Sequence, residues 1–353
     1  MFPIDFSTET LWQVGAGDTE RAYGDLCIKH DVMMVGPGAP GKYSEESYAH
    51  LGDIKNSIRR FYQKAKKGEP VLLRLGTGQI LAIGAIADDI PQWLPAFCDI
   101  DGWDLQHVRR VRWFRDTAKE FPVRTLGGQV RTFATVNVPV IKKWAASLRL
   151  NEADLSRTLT VLPDAAKTLD RTELGRRLFV EGLPSEYIDK LLQAISSLDR
   201  VASWYNNKEK RPEGRPSEHE TVAYLVVPLL FALGWSQQTT AVEWRKIDVA
   251  LFGAMPANDS TLRCVVEAKL LGRSVFSPIG QARDYALRSG REACRTLIVT
   301  DGIRYTVHRR TDDGFCLAAY MNVLDLRERY PIYDCAGAVE ALRLMAKDAQ
   351  KIE

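Results

Sequence analysis

Three charged side chains in the last third of the chain have the types and spacing of a hydrolytic metal centre. Asp248 lies within the apolar run Ile247–Phe252, and Glu267 follows Cys264–Val266, with Lys269 two residues further on. Alternate side chains of a strand point to the same face, so Glu267 and Lys269 share a side, and a hairpin would bring Asp248 alongside them. Two carboxylates beside an ammonium group form a hard-oxygen site for Mg²⁺. An ion there can polarise a phosphate oxygen and lower the pKa of water, while the lysine steadies the developing charge.

The surrounding residues can complete this site. Glu218, in the first turn of the preceding predicted helix, could add a third carboxylate, and Gln281 and Tyr285 share one face of the following helix, which can pack over the site. The alternative is that Asp248 and Glu267 are rim charges and that Lys269 pairs with one of them. We favour the metal site, because a charge within a buried strand is costly without a partner or a metal.

The chain contains its own control for this pattern. Asp53-Ile54-Lys55 has the same acid-x-lysine spacing as Glu267-Ala268-Lys269, but no apolar strand precedes it. An acid in the first turn of a helix complements the helix dipole. We therefore interpret the triplet at 53–55 as a solvated helix start.

The elements that would position the site follow in order from residue 216 to residue 353. Ser217 can cap a helix that continues to about 233, and strands are predicted near 246–252 and 262–269. A helix at about 277–288 leads into a strand at 296–300, and Asp301-Gly302 is typical of a hairpin turn. This order predicts an α/β domain over 216–353.

The same residues resemble a known nuclease family. Glu218-His219-Glu220-Thr221, then Val227-Pro228-Leu229-Leu230, Asp248, Glu267-Ala268-Lys269 and Gln281-Ala282-x-x-Tyr285 are similar to the nuclease domain of type I restriction motor subunits, a PD-(D/E)xK nuclease. The resemblance implies Mg²⁺-dependent phosphodiester hydrolysis, with Mn²⁺ as a substitute. Asp248, Glu267 and Glu218 would bind the metal, Lys269 would be catalytic and Gln281 supporting. Glu218 aligns better than Glu220 with the family's helix glutamate, and the choice between them stays open.

Residues 1–125 form a predicted module of strands around one basic helix. Strands are indicated near 11–14, 31–35, 71–75 and 80–84, and a helix near 54–67. Gly68-Glu69-Pro70-Val71, Ala82-Ile83-Gly84 and Val108-Arg109-Arg110-Val111-Arg112-Trp113 follow in an order that resembles the EVE branch of the PUA-like fold. This resemblance implies a β-barrel with helices that reads a modified base in an aromatic pocket.

The resemblance suggests which residues would read DNA. Trp12, Trp103 and Trp113 are the candidate base cage, with ordinary core aromatics as the alternative. The cluster of Arg109, Arg110, Arg112 and Arg115 would contact phosphates, and a merely solvated basic strand is the alternative.

The remaining stretch, 126–215, is predicted to be a helical connector and linker that serves as a spacer or a dimer surface. Apolar residues recur at helical spacing from Glu186 to Tyr205, and the charged run at 206–216 is rich in Pro and Gly. In the first module, the Gly36–Lys42 run fits a nucleotide-binding loop except that Tyr43 replaces the required Ser or Thr. We therefore expect no nucleotide cofactor, and interpret this loop as a border of the base pocket.

The composition limits which partners and which location the protein can have. The 353 residues carry 48 basic and 45 acidic side chains, a net charge of +3. A surface that binds nucleic acid must therefore be a local basic patch. The six cysteines are dispersed, which argues against a structural zinc site. No apolar run is long enough for a membrane span and no export signal is visible, so a cytoplasmic protein without a membrane partner is expected.

Together these predictions describe a multidomain α/β protein. Its expected function is Mg²⁺-dependent cleavage of double-stranded DNA that carries modified bases, as in restriction of phage DNA, by a homodimer. No helicase motif is present, so we expect no ATP-driven translocation. The alternatives are a repair or RNA-directed nuclease, or a catalytically silent nucleic-acid-binding module.

Overall fold

The computed structural model describes residues 10–18, 20–127, 132–148, 152–207, 209 and 214–348. The chain divides into two compact units, residues 1–165 and residues 166–353. The division falls inside the stretch 126–215 that the sequence predicts as a connector. Each unit contains an eight-stranded sheet with helices, which confirms the prediction of a mixed α/β fold.

The sheet of the first unit has the strand order β2-β6-β4-β3-β1-β8, with β5 paired to β6 and β7 paired to β4. Strand β1 runs parallel to β3, and the other pairings are antiparallel. The strands are β1 (Trp12–Gly15), β2 (Val32–Val35), β3 (Pro70–Leu75), β4 (Gln79–Ile86), β5 (Gln92–Trp93), β6 (His107–Phe114), β7 (Lys119–Glu120) and β8 (Phe133–Thr135). The helices are α1 (Gly24–Lys29), α2 (Gly52–Gln63), α3 (Pro139–Ala146) and α4 (Glu152–Ser156).

The strands and the helix predicted in this unit are present. Helix α2 buries Ile58 and Phe61, whereas Ile54 is 45% exposed. The turn at Gly76-Thr77-Gly78 joins β3 to β4. Gly78 is required there because a Cβ atom would lie 2.6 Å from the Phe121 carbonyl oxygen.

The sheet of the second unit has the order β15-β16-β14-β13-β12-β11-β10-β9. Its strands are β9 (Thr240–Trp244), β10 (Ile247–Phe252), β11 (Leu262–Ala268), β12 (Thr296–Thr300), β13 (Arg304–Thr311), β14 (Gly314–Asn322), β15 (Arg329–Tyr330) and β16 (Cys335–Ala336). Its helices are α5 (Arg171–Val180), α6 (Ser185–Tyr205), α7 (Glu218–Thr221), α8 (Val227–Ala232), α9 (Ile279–Ala286) and α10 (Ala338–Met345). Strand β11 is antiparallel to β10 and parallel to β12, because α9 carries the chain back between β11 and β12.

Helix α6, which the sequence places in the connector, belongs to the core of the second unit. Its residues Ile188, Leu191 and Ile195 lie in the same buried cluster as Leu225 and Leu229. Of the predicted linker, residues 208 and 210–213 lie outside the described residues. Among the helices of the described ranges, none is both long and apolar enough to cross a membrane.

Candidate active site and aromatic cavity

The hairpin of β10 and β11 places the two predicted metal-binding acids next to each other. Val249 pairs with Val266 in the antiparallel ladder, so Asp248 stands opposite Glu267 one position further along. Residues directly opposite each other in an antiparallel pair lie on the same face of the sheet. The neighbouring positions of both strands are buried and apolar, so two carboxylates meet at the edge of an apolar region.

Lys269 lies against these acids, as the spacing predicts. Its Nζ atom donates a hydrogen bond to Glu267 Oε1 at 2.7 Å and lies 3.8 Å from Glu218 Oε1. Asp248 is held in place separately, because its Oδ2 accepts a hydrogen bond from the Ala268 backbone N–H at 2.7 Å. The structure thus brings together four of the five predicted catalytic residues around the end of β11.

Contacts of the helix start distinguish Glu218 from Glu220. Ser217 is the N-cap of α7, and its side chain and that of Glu220 form a reciprocal capping box. Glu220 therefore satisfies the backbone of its own helix, while Glu218 points its carboxylate to Lys269. Of the two glutamates, Glu218 is therefore the better candidate for the helix glutamate of the site, and its role stays a prediction.

The helix that carries Glu218 continues through a π-helical turn. Residues Val222–Val226 form this turn between α7 and α8, and Pro228 follows in the first turn of α8. A proline ring would clash with the Tyr224 carbonyl in a regular α-helix, which accounts for the wider turn. Leu225 and Leu229 remain buried in the core, so the helix stays anchored while Glu218 faces the sheet.

Backbone contacts after β11 hold the segment that carries Lys269. The Lys269 N–H donates to the Thr300 carbonyl at 2.8 Å, and the Gly272 N–H donates to Asp301 Oδ2 at 2.8 Å. Gly302 has a φ of 87°, and a Cβ atom there would lie 2.6 Å from Leu225 Cβ. The predicted turn at Asp301-Gly302 is confirmed and also positions Lys269.

The electrostatics of the site favour an additional positive charge. Burial raises the pKa of Asp248, partly offset by the hydrogen bond from Ala268 and the charge of Lys269. Burial also raises the pKa of Glu267, the charges of Asp248 and Glu218 raise it further, and Lys269 partly offsets this. Burial disfavours the Lys269 ammonium, but its hydrogen bond to Glu267 and the nearby carboxylates raise its pKa overall. A protonated Lys269 thus does not fully compensate the acids, and a divalent cation would lower both carboxyl pKa values.

One carboxylate oxygen of the site lacks a hydrogen-bond partner among the described residues. Glu267 is 1% exposed, and its buried Oε2 atom is that oxygen. A buried carboxylate oxygen left unpaired costs about 1–3 kcal/mol or more, and such an atom in a folded protein points to a missing ligand. Mg²⁺ is commonly held by one or two carboxylates, with water and substrate oxygens completing its shell. Asp248 and Glu267 fit that requirement.

The described residues supply fewer than three close ligands of this kind. No group of three or more His, Cys, Asp or Glu side chains in the described part of the chain is arranged to hold a metal ion. Glu218 lies against Lys269, so its predicted role as a direct metal ligand stays a prediction.

The sequence reasoning missed two residues beside the site. The register of β9 with β10 places Glu243 opposite Asp248, and Glu243 has a left-handed φ of 54°. Its carboxylate lies 3.1 Å from His219 Nδ1, and both side chains are exposed. Their charges act on the pKa of Asp248 in opposite directions. The β-forming residues Thr240, Val242 and Trp244 were the available signal for this half-exposed strand.

Gln281 lies on α9, the helix packed against β11 and β12. Ala282 and Ala286 face the sheet and are buried, whereas Gln281 is exposed and its Nε2 lies 3.4 Å from Tyr285 Oη. Gln281 and Tyr285 share one helix face, as predicted. A supporting role in catalysis stays a prediction.

The structure separates the three tryptophans predicted to form a base cage. Trp12 is 4% exposed, donates from Nε1 to Glu69 Oε2 at 2.7 Å and stacks on Phe133. Trp113 is 3% exposed and donates to the Cys27 carbonyl at 3.0 Å. Both fill the interior because their strands, β1 and β6, lie within the sheet and are buried almost throughout. Trp12 and Trp113 are therefore core residues, as the alternative interpretation has it.

Trp103 instead lines a cavity of about 410 Å³ in the first unit. The Tyr23 ring contacts the Trp103 ring edge to face, with ring centroids 5.6 Å apart, and Tyr23 also lines the cavity. The lining further includes residues at and after the ends of β1 and β2, in the loop before β6 and directly before β8: Gly15, Gly17, Asp18, Gly36, Pro37, Gly102, Asp104, Leu105 and Thr132. Gly36 and Pro37 begin the Gly36–Lys42 loop, which therefore borders the cavity. Sequence reasoning missed Tyr23.

The predicted phosphate-binding arginines divide by face. Arg109 is fully buried, and its guanidinium bonds Asp88 Oδ1 at 2.9 Å and the Ala65 carbonyl at 2.6 Å. Arg109 therefore holds the core of the first unit and is closed to a phosphate, because alternation along β6 turns it inward. Arg110 and Arg112 lie on the opposite face, partly buried, and donate to backbone carbonyls of residues 157–160.

Residues 12–137 match a protein-family model described as "Domain of unknown function (DUF8426)". The matched span begins in β1 and ends just after β8, so it covers the sheet of the first unit. No curated protein and no solved structure matches the chain significantly.

Proposed function

We propose that the second unit is a metal-dependent nuclease of the PD-(D/E)xK type. The observation that carries this proposal is the unpartnered, buried Oε2 of Glu267, beside Asp248 and within the same cluster as Lys269. The order of elements also supports it: a helix with Glu218, the antiparallel strands β9 to β11, helix α9 and the parallel strand β12.

In this proposal Asp248 and Glu267 hold a Mg²⁺ ion, for which Mn²⁺ can substitute. When bound, the ion supplies Lewis-acid polarisation of the phosphodiester and lowers the pKa of water. Glu267 and Glu218 keep the Lys269 ammonium protonated and fixed at the site. From there Lys269 orients the attacking water and stabilises the negative charge that develops on the phosphate. The buried, apolar hairpin lowers the local dielectric, which strengthens both effects.

We further propose that the first unit reads a modified base. The cavity beside Trp103 has the volume of a small-molecule site, and two aromatic side chains form part of its wall. A flipped base stacks on aromatic faces and is read along its polar edge. In this proposal Trp103 and Tyr23 replace the predicted cage of three tryptophans, and Arg110, Arg112 and Arg115 remain the candidates for phosphate contacts.

The two parts together make the chain an endonuclease for double-stranded DNA that carries modified bases, as in restriction of phage DNA. Each chain has one candidate nuclease site. Cutting both strands requires two, so we propose that a homodimer assembles on DNA.

Cleavage assays with matched variants test the nuclease. Purified protein with Mg²⁺ is expected to nick or cut modified phage DNA, and Asp248→Ala or Lys269→Ala should lower the rate by at least about a hundredfold. The control is Lys55→Ala, because Asp53-Ile54-Lys55 has the same spacing on the exposed first turn of α2. Full activity in the Asp248 or Lys269 variant would refute the assignment of the site.

The same preparation distinguishes the rival functions. Preferred cleavage of RNA over DNA with the same modified base would indicate an RNA-directed nuclease. Calorimetric titration that detects no Mg²⁺ or Mn²⁺ binding, together with no cleavage, would indicate a catalytically silent binding module.

A further inference from the structure

A buried histidine connects three separate segments of the first unit. His107, the first residue of β6, is fully buried. Its Nε2 lies 2.6 Å from the Tyr48 hydroxyl and its Nδ1 lies 2.8 Å from the Tyr62 hydroxyl of α2. Gly36 and Pro37 line the cavity of Trp103, and they belong to the same loop as Gly41, whose carbonyl accepts a hydrogen bond from Tyr48. Through Tyr48, the imidazole is therefore linked to the loop that forms part of the cavity wall.

The direction of these hydrogen bonds follows from Tyr48. Its hydroxyl donates its single proton to the Gly41 carbonyl at 2.8 Å. The ring must therefore donate from Nε2 to the Tyr48 oxygen, and a neutral ring then accepts at Nδ1 from the Tyr62 hydroxyl. Tyr48 thus contacts both the histidine and the Gly36–Lys42 loop, whereas Tyr62 contacts the same histidine from α2.

The loop is held tightly on its other side as well. The Gly38 N–H donates to Asp104 Oδ2 at 3.0 Å, and Trp93 Nε1 donates to the Gly38 carbonyl at 2.9 Å. A Cβ atom on Gly36 would lie 2.0 Å from the Asp104 carbonyl oxygen. The loop therefore lies directly on the segment that supplies Trp103 and Asp104 to the cavity, and a shift of the loop would change the shape of the cavity.

We propose that Tyr48 and His107 are positioning residues for this cavity: through Gly41 they fix the loop that supplies part of the wall against which the bound base is discriminated. Neither side chain lines the cavity, so their effect on recognition is indirect. This inference rests on the base-reading part of the proposed function. A preformed wall avoids the ordering cost of binding, so removing its anchor should weaken selection of the ligand more than it weakens the fold.

Two conservative variants separate positioning from stability. Tyr48→Phe removes the hydroxyl that contacts both the loop and His107, and Tyr62→Phe removes one that contacts His107 from α2. The probes are DNA duplexes identical except at one base, which is cytosine, 5-methylcytosine, 5-hydroxymethylcytosine, adenine or N6-methyladenine. The readouts on the full chain are the Kd ratio of unmodified to preferred modified duplex, the thermal midpoint, and amide exchange of residues 36–43 without DNA.

We expect Tyr48→Phe to reduce the Kd ratio by roughly three- to tenfold, the effect of about one hydrogen bond, and to speed exchange in the loop. Tyr62→Phe should leave the Kd ratio and the loop exchange within about twofold, at a similar thermal midpoint. The inference is overturned if Tyr48→Phe keeps both values, or if both variants lose selectivity in proportion to their thermal midpoints. A wild-type protein without preference among the duplexes would refute base reading itself, and the exchange data would still decide whether Tyr48 holds the loop.

Discussion

Mild acid should destabilise each unit through one buried histidine. Burial lowers the pKa of His107 from 6.5 to about 4. Burial together with the charge of Arg283 lowers the pKa of His308 from 6.5 to about 4 as well. His107 is fully buried and His308 is 6% exposed, so solvent screens neither group.

The sign and size follow from proton linkage. Below pH 6.5 the unfolded chain binds a proton at each histidine, whereas the folded chain does not until about pH 4. The free energy of unfolding therefore falls as the pH drops from 6.5 to 4, and it falls by about 2 kcal/mol per histidine between pH 7 and pH 5. The full loss below pH 4 is about 3 kcal/mol for each. Asp104 acts in the opposite sense, because burial raises its pKa.

Hydrogen exchange measured by mass spectrometry can follow the two histidines separately. Peptides from β6 report on His107 and peptides from β13 report on His308, after correction for intrinsic exchange rates. A loss of about 2 kcal/mol corresponds to an increase of roughly thirtyfold in the opening equilibrium. His308→Gln should remove the pH dependence of the β13 peptides and leave that of the β6 peptides.

Two results would refute this reasoning. One is equal protection of the β6 and β13 peptides at pH 7 and pH 5. The other is an unchanged pH slope of the β13 peptides in His308→Gln, which would assign the effect to other groups.

Three further perturbations have defined outcomes. Arg109→Ala should destabilise the first unit by about 3–5 kcal/mol in denaturant unfolding, because it leaves the largely buried Asp88 carboxylate without its ion-pair partner. An effect limited to DNA affinity would instead support a phosphate contact. Mg²⁺ at ten times its Kd should add about 1.4 kcal/mol to the free energy of unfolding of the wild type and nothing to that of Asp248→Asn. Thermal unfolding in Ca²⁺-free buffers measures both values. An equal shift in the two proteins would place the ion elsewhere. Ser217→Ala should lower the free energy of unfolding by about 1 kcal/mol, because it removes the N-cap of α7. It should also slow cleavage, because Glu218 lies in the first turn of that helix. Rescue of both properties by Ser217→Asp would confirm the capping role.

Local patterns predicted most of the candidate nuclease site. An acid inside an apolar strand, a second acid at the end of the next strand and a lysine two residues later depend only on neighbours along the chain. Period-two alternation placed Glu267 and Lys269 on one side, and a capping serine marked the helix of Glu218. The order of β10, β11, α9 and β12 was predictable because each element has its own periodicity and its own boundary residues.

Long-range packing decided the rest. The sequence does not distinguish the roles of Trp12, Trp103 and Trp113. The pairing of β1 with β3 and of β4 with β6 makes Trp12 and Trp113 core residues. Alternation separates Arg109 from Arg110, but which face of β6 is covered depends on α2, whose Phe61 carbonyl accepts a hydrogen bond from Arg109. Glu218 and Glu220 are distinguished by their contacts: Glu218 lies near Lys269, whereas Glu220 accepts a hydrogen bond from Ser217. A sequence specifies which side chains share a face, whereas burial of that face is a property of the elements that pack on it.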